Sequence, residues 1–187
     1  MRESPFGARG TVGHVSAGSA RGYSGDVTGS DAGRAAPPRL PALLLGIGLG
    51  GFVDGIVLHQ LLQWHHLLTD AGRFPADTVA GLEGNTVADG LFHVASWLFV
   101  LAGTTLLVRG WREGRPAPPW PTQAGLVLAG WGLFNLVEGI VDHHLLTLHH
   151  VRDDVADPLP WDLGFLAFGA ALLLVGWSLA RRAATAR

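Results

Sequence analysis

Two histidine-rich stretches carry the residues of this sequence whose types and spacing could support chemistry. Residues 50–66 read GGFVDGIVLHQLLQWHH, and residues 134–150 read FNLVEGIVDHHLLTLHH. Both stretches are apolar enough to enter a membrane, yet each contains a carboxylate and several imidazoles. Ionisable side chains inside a bilayer are costly and usually mark a function. The sequence therefore predicts a membrane protein with a histidine-rich site inside the membrane.

The two stretches align with each other at an offset of 84 positions. This offset pairs Asp54 with Glu138 and His59 with His143, and it also pairs the two adjacent histidines that end each stretch. Between residues 53 and 66, nine of fourteen positions are identical to their counterparts. Agreement of this density predicts an internal duplication.

Helical geometry predicts which of these side chains share a face. At about 100° per residue, His59, Gln63 and His66 fall on one face of an α-helix, and Asp54 and His65 fall on nearly the opposite face. The second copy repeats the division, with His143, Thr147 and His150 on one face and Glu138, Asp142 and His149 on the other. Two imidazoles seven residues apart lie about 10 Å apart along the helix axis, so one ion needs ligands from both copies.

Imidazole and carboxylate are the predicted metal ligands, because the chain has no Cys and only one Met. The predicted primary ligands are His59, His66, His143 and His150. Two roles stay open for the histidines of the opposite face, namely a second metal site or hydrogen bonds that orient the primary ligands. These histidines are His65 and His149. His93, which follows Asp89 by one helical turn, is a further candidate ligand.

Carboxylates complete the predicted site. Asp54 and Glu138 are expected to meet between the first and third spans, near Gly55 and Gly139, where two close carboxylates would bind a cation or share a proton. The residues predicted to relay protons or to orient the ligands are Asp54, Glu138, Asp142, Asp89 and Gln63. Asp162 is expected to cap the fourth span.

Four apolar stretches of about 20 residues each are long enough to cross the hydrocarbon core of a bilayer. Their predicted bounds are 40–65, 87–108, 122–148 and 159–180, which gives an all-α, four-helix membrane bundle made of two tandem helical hairpins. Residues 1–39 are rich in Gly, Ser and Ala and are predicted to be a disordered tail, and residues 183–187 a second short tail. The net charge of −2 argues against nucleic acid as a partner.

Arginine is distributed unequally among the segments outside these spans. The N-terminal tail holds five, the loop between the second and third spans holds three, the C-terminal segment holds three, and the two other loops hold one each. The positive-inside rule then predicts that both termini are cytoplasmic. The histidines are accordingly expected near the outer face of the cell membrane.

The pattern DGIVLHQLLQWHH followed by NLVEGIVDHHLLTLHHVR resembles a family of small prokaryotic membrane proteins that have four spans and no assigned function. The resemblance covers about residues 40–182. It implies the four-span topology and the importance of the histidines, but it supplies no reaction or cofactor.

Three classes of function stay open. Imidazole with carboxylate suits iron, copper or zinc, either in a redox enzyme or in a metal-handling factor for respiratory assembly. If His59 and His143 faced each other across a porphyrin, the chain would instead be a b-type haem protein. Titration of the same groups without a metal would give a proton-coupled transporter or a pH sensor. The lipid bilayer is the expected partner, and a homo-oligomer or a respiratory complex stays open.

Overall fold

The computed structural model describes residues 38–72 and 74–185, with the exception of the side chains of residues 183–185. Apart from residues 38 and 39, the predicted N-terminal tail lies outside these ranges. Within them, the chain forms long helices and connecting loops and contains no strand. Four of these helices are long and apolar enough to cross a membrane, so the predicted all-α class with four spans is confirmed.

The four helices are α1 (Leu40–Leu61), α2 (Val79–Arg112), α3 (Trp120–Leu145) and α4 (Leu159–Thr185). Three of them carry a proline in the first turn, at Pro41, Pro121 and Pro160, where a missing N–H costs nothing. Prolines at these positions therefore fix where α1, α3 and α4 begin.

The start of α2 differs from the prediction by eight residues. The helix begins at Val79 instead of Val87, and the hydroxyl of Thr78 caps it by accepting a hydrogen bond from the Gly81 N–H at 3.1 Å. Hydropathy reports the length of an apolar stretch, whereas the first two turns of α2 interrupt their apolar residues with Glu83, Asn85 and Thr86. The helix therefore extends beyond the part that hydropathy detects.

Polar side chains fill the interior, and large apolar side chains cover the surface. Among the described residues other than glycine and proline, twelve buried side chains are polar or charged and only six are apolar. Leu174, Val175 and Trp97 on the helices are more than half exposed. This distribution is the reverse of that in a water-soluble protein, and it suits helices surrounded by lipid.

Helices α1 and α3 pack against each other at the centre, with α2 against α1 and α4 against α3. The central pair crosses at Gly46 and Gly130. A Cβ atom built on Gly46 would overlap the carbonyl oxygen of Val127 and would lie 2.9 Å from the Cα atom of Gly130. Glycine therefore allows the two backbones to approach closely.

The predicted meeting of α1 and α3 near Gly55 and Gly139 is wrong. A Cβ atom built on Gly55 would lie 2.6 Å from Nε2 of His93 on α2, and one built on Gly139 would lie 2.9 Å from Cδ2 of Leu166 on α4. Each of these glycines thus packs within its own hairpin. The space left between α1 and α3 at this level is occupied by the histidine cluster described below.

Candidate metal centre

The last turns of α1 and α3 are π-helical. The α-helical parts, Leu40–Val53 and Trp120–Glu138, continue as π-helical segments over Asp54–Leu61 and Gly139–Leu145. In a π-helix each N–H bonds to the carbonyl five residues earlier, which brings residues five apart together. Oδ2 of Asp54 consequently lies 3.2 Å from Nε2 of His59, and Oε1 of Glu138 lies 3.0 Å from Nε2 of His143.

This π-helical geometry makes the predicted faces wrong. An α-helix would separate Asp54 from His59 by about 140° around its axis, which is why these two side chains were predicted to lie on nearly opposite faces. The π-helix removes most of that rotation. The carboxylate and the imidazole of each copy therefore lie side by side. The predicted face of His59, Gln63 and His66 does not form.

A residue with left-handed backbone follows each π-helical segment. Gln63 has a φ of 51° and Thr147 a φ of 47°, and these two positions are equivalent in the two copies. Positive φ is uncommon for residues other than glycine. The same unusual backbone conformation therefore occurs at the same point of both copies. After it, His65 and His149 turn inward and are only 2% and 0% exposed.

Four imidazoles gather between α1 and α3. The ring centroids of His59 and His65 lie 4.5 Å apart, and those of His143 and His149 lie 4.8 Å apart. Between the copies, the rings of His65 and His149 stack in parallel at 4.5 Å. The similar distances within each copy show that the two halves of the centre are arranged alike.

Backbone carbonyls fix the tautomers of the two stacked histidines. Nδ1 of His65 lies 2.8 Å from the carbonyl oxygen of Val151, and Nδ1 of His149 lies 3.1 Å from that of Leu67. A carbonyl oxygen only accepts hydrogen bonds, so Nδ1–H is the donor in both rings. In the neutral imidazole, Nε2 then carries a lone pair that can bind a cation.

His65, which lies beyond the end of α1, is held in the neutral form. Burial, together with the neighbouring imidazoles of His149 and His59, lowers the pKa of His65 well below its ordinary value of 6.5. Within the described part of the chain, its Nε2 atom has no hydrogen-bond partner. The lone pair of His65 is therefore present at neutral pH and points into the cluster.

Asp89 on α2 accepts hydrogen bonds from two histidines of the first copy, His59 and His66. Its carboxylate accepts hydrogen bonds from Nδ1 of His59 at 3.0 Å, from Nδ1 of His66 at 2.8 Å and from the backbone N–H of Leu67 at 2.9 Å. With Nδ1 engaged, Nε2 of His59 is turned towards Asp54. Carboxylates commonly hold metal-binding histidines in this way.

Asp162 on α4 plays the equivalent part for the second copy. It accepts hydrogen bonds from Nδ1 of His150 at 2.7 Å and from the N–H of Val151 at 2.9 Å, and it lies 3.5 Å from Nδ1 of His143. From the sequence, Asp162 was expected only to cap the fourth span. The available signal was its position in the first turn of the predicted span 159–180, which resembles the position of Asp89 in the predicted span 87–108.

Several polar atoms at the centre lack hydrogen-bond partners among the described residues, although the centre is almost sealed from outside. These atoms are Oδ1 and Oδ2 of Asp54, Oε2 of Glu138, and Nε2 of His59, His65 and His143. Orphaned buried groups of this kind are costly. The carboxylate–imidazole pairs nevertheless lie 3.0–3.2 Å apart. Neighbouring ligands of one ion, each about 2.1 Å from it, have a similar separation of about 3.0–3.4 Å.

Two groups of ligand atoms are close enough to hold an ion, each with all its atoms within 4.8 Å of one another. The groups are His59, His65 and His149, and Glu138, His143 and His149. Oε1 of Glu138 contacts Nε2 of both His143 and His149, at 3.0 and 3.1 Å. Asp54 is shorter by one methylene and makes the corresponding contact with His59, at 3.2 Å.

Three of the predicted ligands lie outside both groups. His66 and His150 contact Asp89 and Asp162, and their side chains are 18% and 31% exposed. Nδ1 of His93 donates to the carbonyl oxygen of Asp89 at 2.8 Å, one turn earlier in α2. These histidines therefore surround the cluster and orient it.

The two other predicted residues also lie at its edge. Gln63 is exposed and serves the backbone turn described above. Asp142 is half-buried beside Glu138 and lines a cleft between helices. Neither side chain belongs to the two ligand groups.

The fold and the centre together define a class, namely a four-helix membrane protein with buried histidines and carboxylates between two hairpins. Residues 41–183 match the family described as "Predicted membrane protein (DUF2243)", and the chain belongs to this family. The expected resemblance to a membrane family without an assigned function is confirmed. No curated protein and no solved structure matches the chain.

Proposed function

We propose that this membrane protein holds two transition-metal ions between its two hairpins. One copy of the motif would supply Asp54, His59 and His65 to the first ion, and the other copy Glu138, His143 and His149 to the second. The observation that carries the proposal is the buried cluster of four imidazoles and two carboxylates, in which the inward-facing atoms named above have no hydrogen-bond partner among the described residues.

Iron is the proposed metal. In this assignment Asp54 takes the place of His149 in the first group, so each subsite would have two imidazoles and one carboxylate. This donor set is typical of non-haem Fe(II) with positions left open for other ligands. Copper and zinc accept the same donors, and metal analysis separates the three. A pair of iron ions would supply one-electron redox chemistry to the centre.

The two subsites differ in carboxylate length, and we expect them to differ in affinity. Glu138 reaches both imidazoles of its copy, whereas Asp54 contacts His59. The subsite of Glu138 is therefore the tighter of the two in this proposal. The first subsite would fill at higher metal concentration.

Burial favours a resident cofactor over a metal that is handed on. The six proposed ligands are at most 5% exposed. Rapid transfer of an ion to a partner requires accessible ligands, and these are enclosed by the loops that follow α1 and α3. An oxidoreductase or electron-transfer role therefore fits better than metal delivery.

A haem between His59 and His143 is disfavoured by the packing around these rings. The ring of His65 lies 4.5 Å from that of His59 and 6.3 Å from that of His143, within the space that a porphyrin would need. Nε2 of each candidate axial histidine also faces a carboxylate, at 3.2 Å for His59 and 3.0 Å for His143. Visible absorption of the purified protein tests this directly.

Proton transfer is the second candidate function. A lone pair on Nε2 of His149 faces Oε1 of Glu138 at 3.1 Å, so either a metal ion or a proton must lie between these two acceptors. A proton shared along these pairs would give a relay through the membrane interior. Elemental analysis distinguishes the relay from the metal centre.

The experiment is elemental analysis of protein purified without a polyhistidine tag and dialysed against a mild chelator. We expect two ions for each chain, about one in Asp54→Asn, and loss of the tighter ion in Glu138→Gln. His144→Asn is the matched control, because His144 is exposed and adjacent to a proposed ligand, and it should retain both ions. Metal at the level of the buffer blank in the unmodified protein would leave the proton relay as the surviving candidate.

A further inference from the structure

A cleft of about 400 Å³ opens on the lipid-facing side of the bundle between α2 and α3, with one residue of α1 at its base. We name it the α2–α3 cleft. Its lining includes Phe92, Ser96, Phe134, Val137, Glu138 and Asp142. The volume lies within the range of about 300–1,000 Å³ of ordinary small-molecule sites.

The inner wall of this cleft belongs to the metal centre. Glu138 is 5% exposed, contacts His143 and His149 through Oε1, and lines the cleft. Its other oxygen, Oε2, has no hydrogen-bond partner among the residues that the structure describes. The Asp142 carboxylate lines the same cleft one turn later. Two carboxylates therefore line a space whose other lining residues are apolar, except for Ser96, whose hydroxyl donates to the carbonyl oxygen of Phe92 at 3.0 Å.

The rest of the wall is aromatic and reaches the lipid. Phe92 and Phe134 lie side by side with ring centroids 6.0 Å apart. Val137 and Leu133 line the cleft and are also exposed on the surface of α3, by 54% and 39%. A molecule dissolved in the bilayer could thus enter sideways without crossing a polar surface.

We propose that the α2–α3 cleft binds a lipid-soluble hydroxylated aromatic molecule, a hydroquinone-type ring with an apolar tail. Its ring would pack against Phe92 and Phe134, because aromatic rings favour such offset contacts. Its hydroxyl would donate to Glu138 or Asp142, which can only accept when ionised. Its tail would remain in the lipid beside Val137.

A second cleft provides a comparison within the same chain. A smaller cleft of about 290 Å³, lined by Asp54, Val53 and Leu58 among others, lies at the equivalent place between α1 and α4. The 84-residue offset pairs Leu58 with Asp142, so this cleft has one carboxylate where the α2–α3 cleft has two. We therefore assign the ligand to the α2–α3 cleft.

This inference rests on the proposed function for the chemistry next to the ligand, but binding is measured independently of metal. The probe is a hydroquinone with a decyl tail, titrated calorimetrically into the purified protein, with metal content determined in the same preparation. We expect one probe for each chain. Failure to bind in protein that contains metal would overturn the cleft proposal alone, and binding in protein without metal would overturn the metal centre alone.

Two chemical controls test the nature of the ligand. The dimethyl ether of the same probe keeps the ring and tail but cannot donate a hydrogen bond, and it should bind about tenfold more weakly or worse. Decylbenzene tests the tail and ring alone and should be weaker still. Equal affinity for all three compounds would identify a groove for acyl chains and overturn the proposal.

Three variants test the location. Val137→Trp should fill the mouth of the cleft and abolish binding, whereas Val53→Trp, at the equivalent position of the other cleft, should leave binding unchanged. Asp142→Leu copies the residue found at the equivalent position, Leu58, and should weaken binding about tenfold with metal content unchanged. The reverse pattern, with Val53→Trp abolishing binding, would overturn the assignment to this cleft.

Discussion

The adjacent residues His65 and His66 provide the clearest test of the proposed ligand assignment. An α-helical wheel favours His66 as a ligand and places His65 on the opposite face, whereas in the structure His65 lies inside the cluster and His66 lies at its edge. His65 is buried with Nε2 pointing into the cluster, and His66 donates to Asp89 from the edge of it. The perturbation is replacement of either residue by Asn, which keeps a hydrogen-bond donor and removes the imidazole.

The expected loss of metal affinity depends on how many residues lie between each histidine and the proposed ion. Removal of a group hydrogen-bonded directly to a ligand, such as Asp89, changes metal affinity by about 10–100-fold. His66 acts through Asp89, one hydrogen bond further from the ion, so its removal should cost less than about 100-fold. His65 would bind the ion directly, so its removal should cost more than about 100-fold, or more than about 2.8 kcal/mol. The Asn side chain can still donate to the Val151 carbonyl, which limits the loss of fold stability.

The assay is competition with a chelator of known affinity, followed by elemental analysis. Helical content by circular dichroism and a single peak in size-exclusion chromatography establish that each variant is folded. His144→Asn serves as the exposed neighbour and should match the unmodified protein. Metal lost from His66→Asn but retained by His65→Asn would refute the ligand assignment and restore the α-helical one.

Four further predictions concern the packing, the outer carboxylates, pH and topology. Gly46→Ala should lower the unfolding temperature in detergent, since overpacking costs about 1–3 kcal/mol, whereas Gly90→Ala, whose new methyl group meets no atom within 4 Å, should be neutral or stabilising. Asp89→Asn and Asp162→Asn should each lower metal affinity by about 10–100-fold and to a similar extent, and unequal effects beyond that range would contradict the equivalence of the two halves. The pKa of His65 is lowered in the folded protein, so the unfolded chain binds more protons once the pH falls below about 6.5. Metal-stripped protein should therefore lose stability between about pH 7 and pH 5, by at most about 1.4 kcal/mol per pH unit from this residue, and His65→Asn should show a shallower slope in thermal unfolding. A reporter fused to the C-terminus should be active only in its cytoplasmic form, as the arginine distribution predicts.

The amino-acid sequence alone indicates the class of this protein and the ionisable side chains within its spans. Apolar length sets the number of spans because a bilayer of fixed thickness requires about 20 residues for each helix. Asp54, His59 and their counterparts could be recognised as a site because ionisable groups in such spans have a high energetic cost. The pairing of the copies followed from the 84-residue offset, which needs no coordinates.

Which side chains meet depends on the packing of the folded chain. The exchange of His65 for His66 depends on π-helical hydrogen bonds and on positive φ at Gln63, and no residue type in these segments specifies either feature. The role of Asp162 likewise depends on how α4 packs against the loop after α3. A helical wheel assumes a constant rotation per residue, and that assumption fails at the end of a helix, where packing between the hairpins determines the local geometry of the chain.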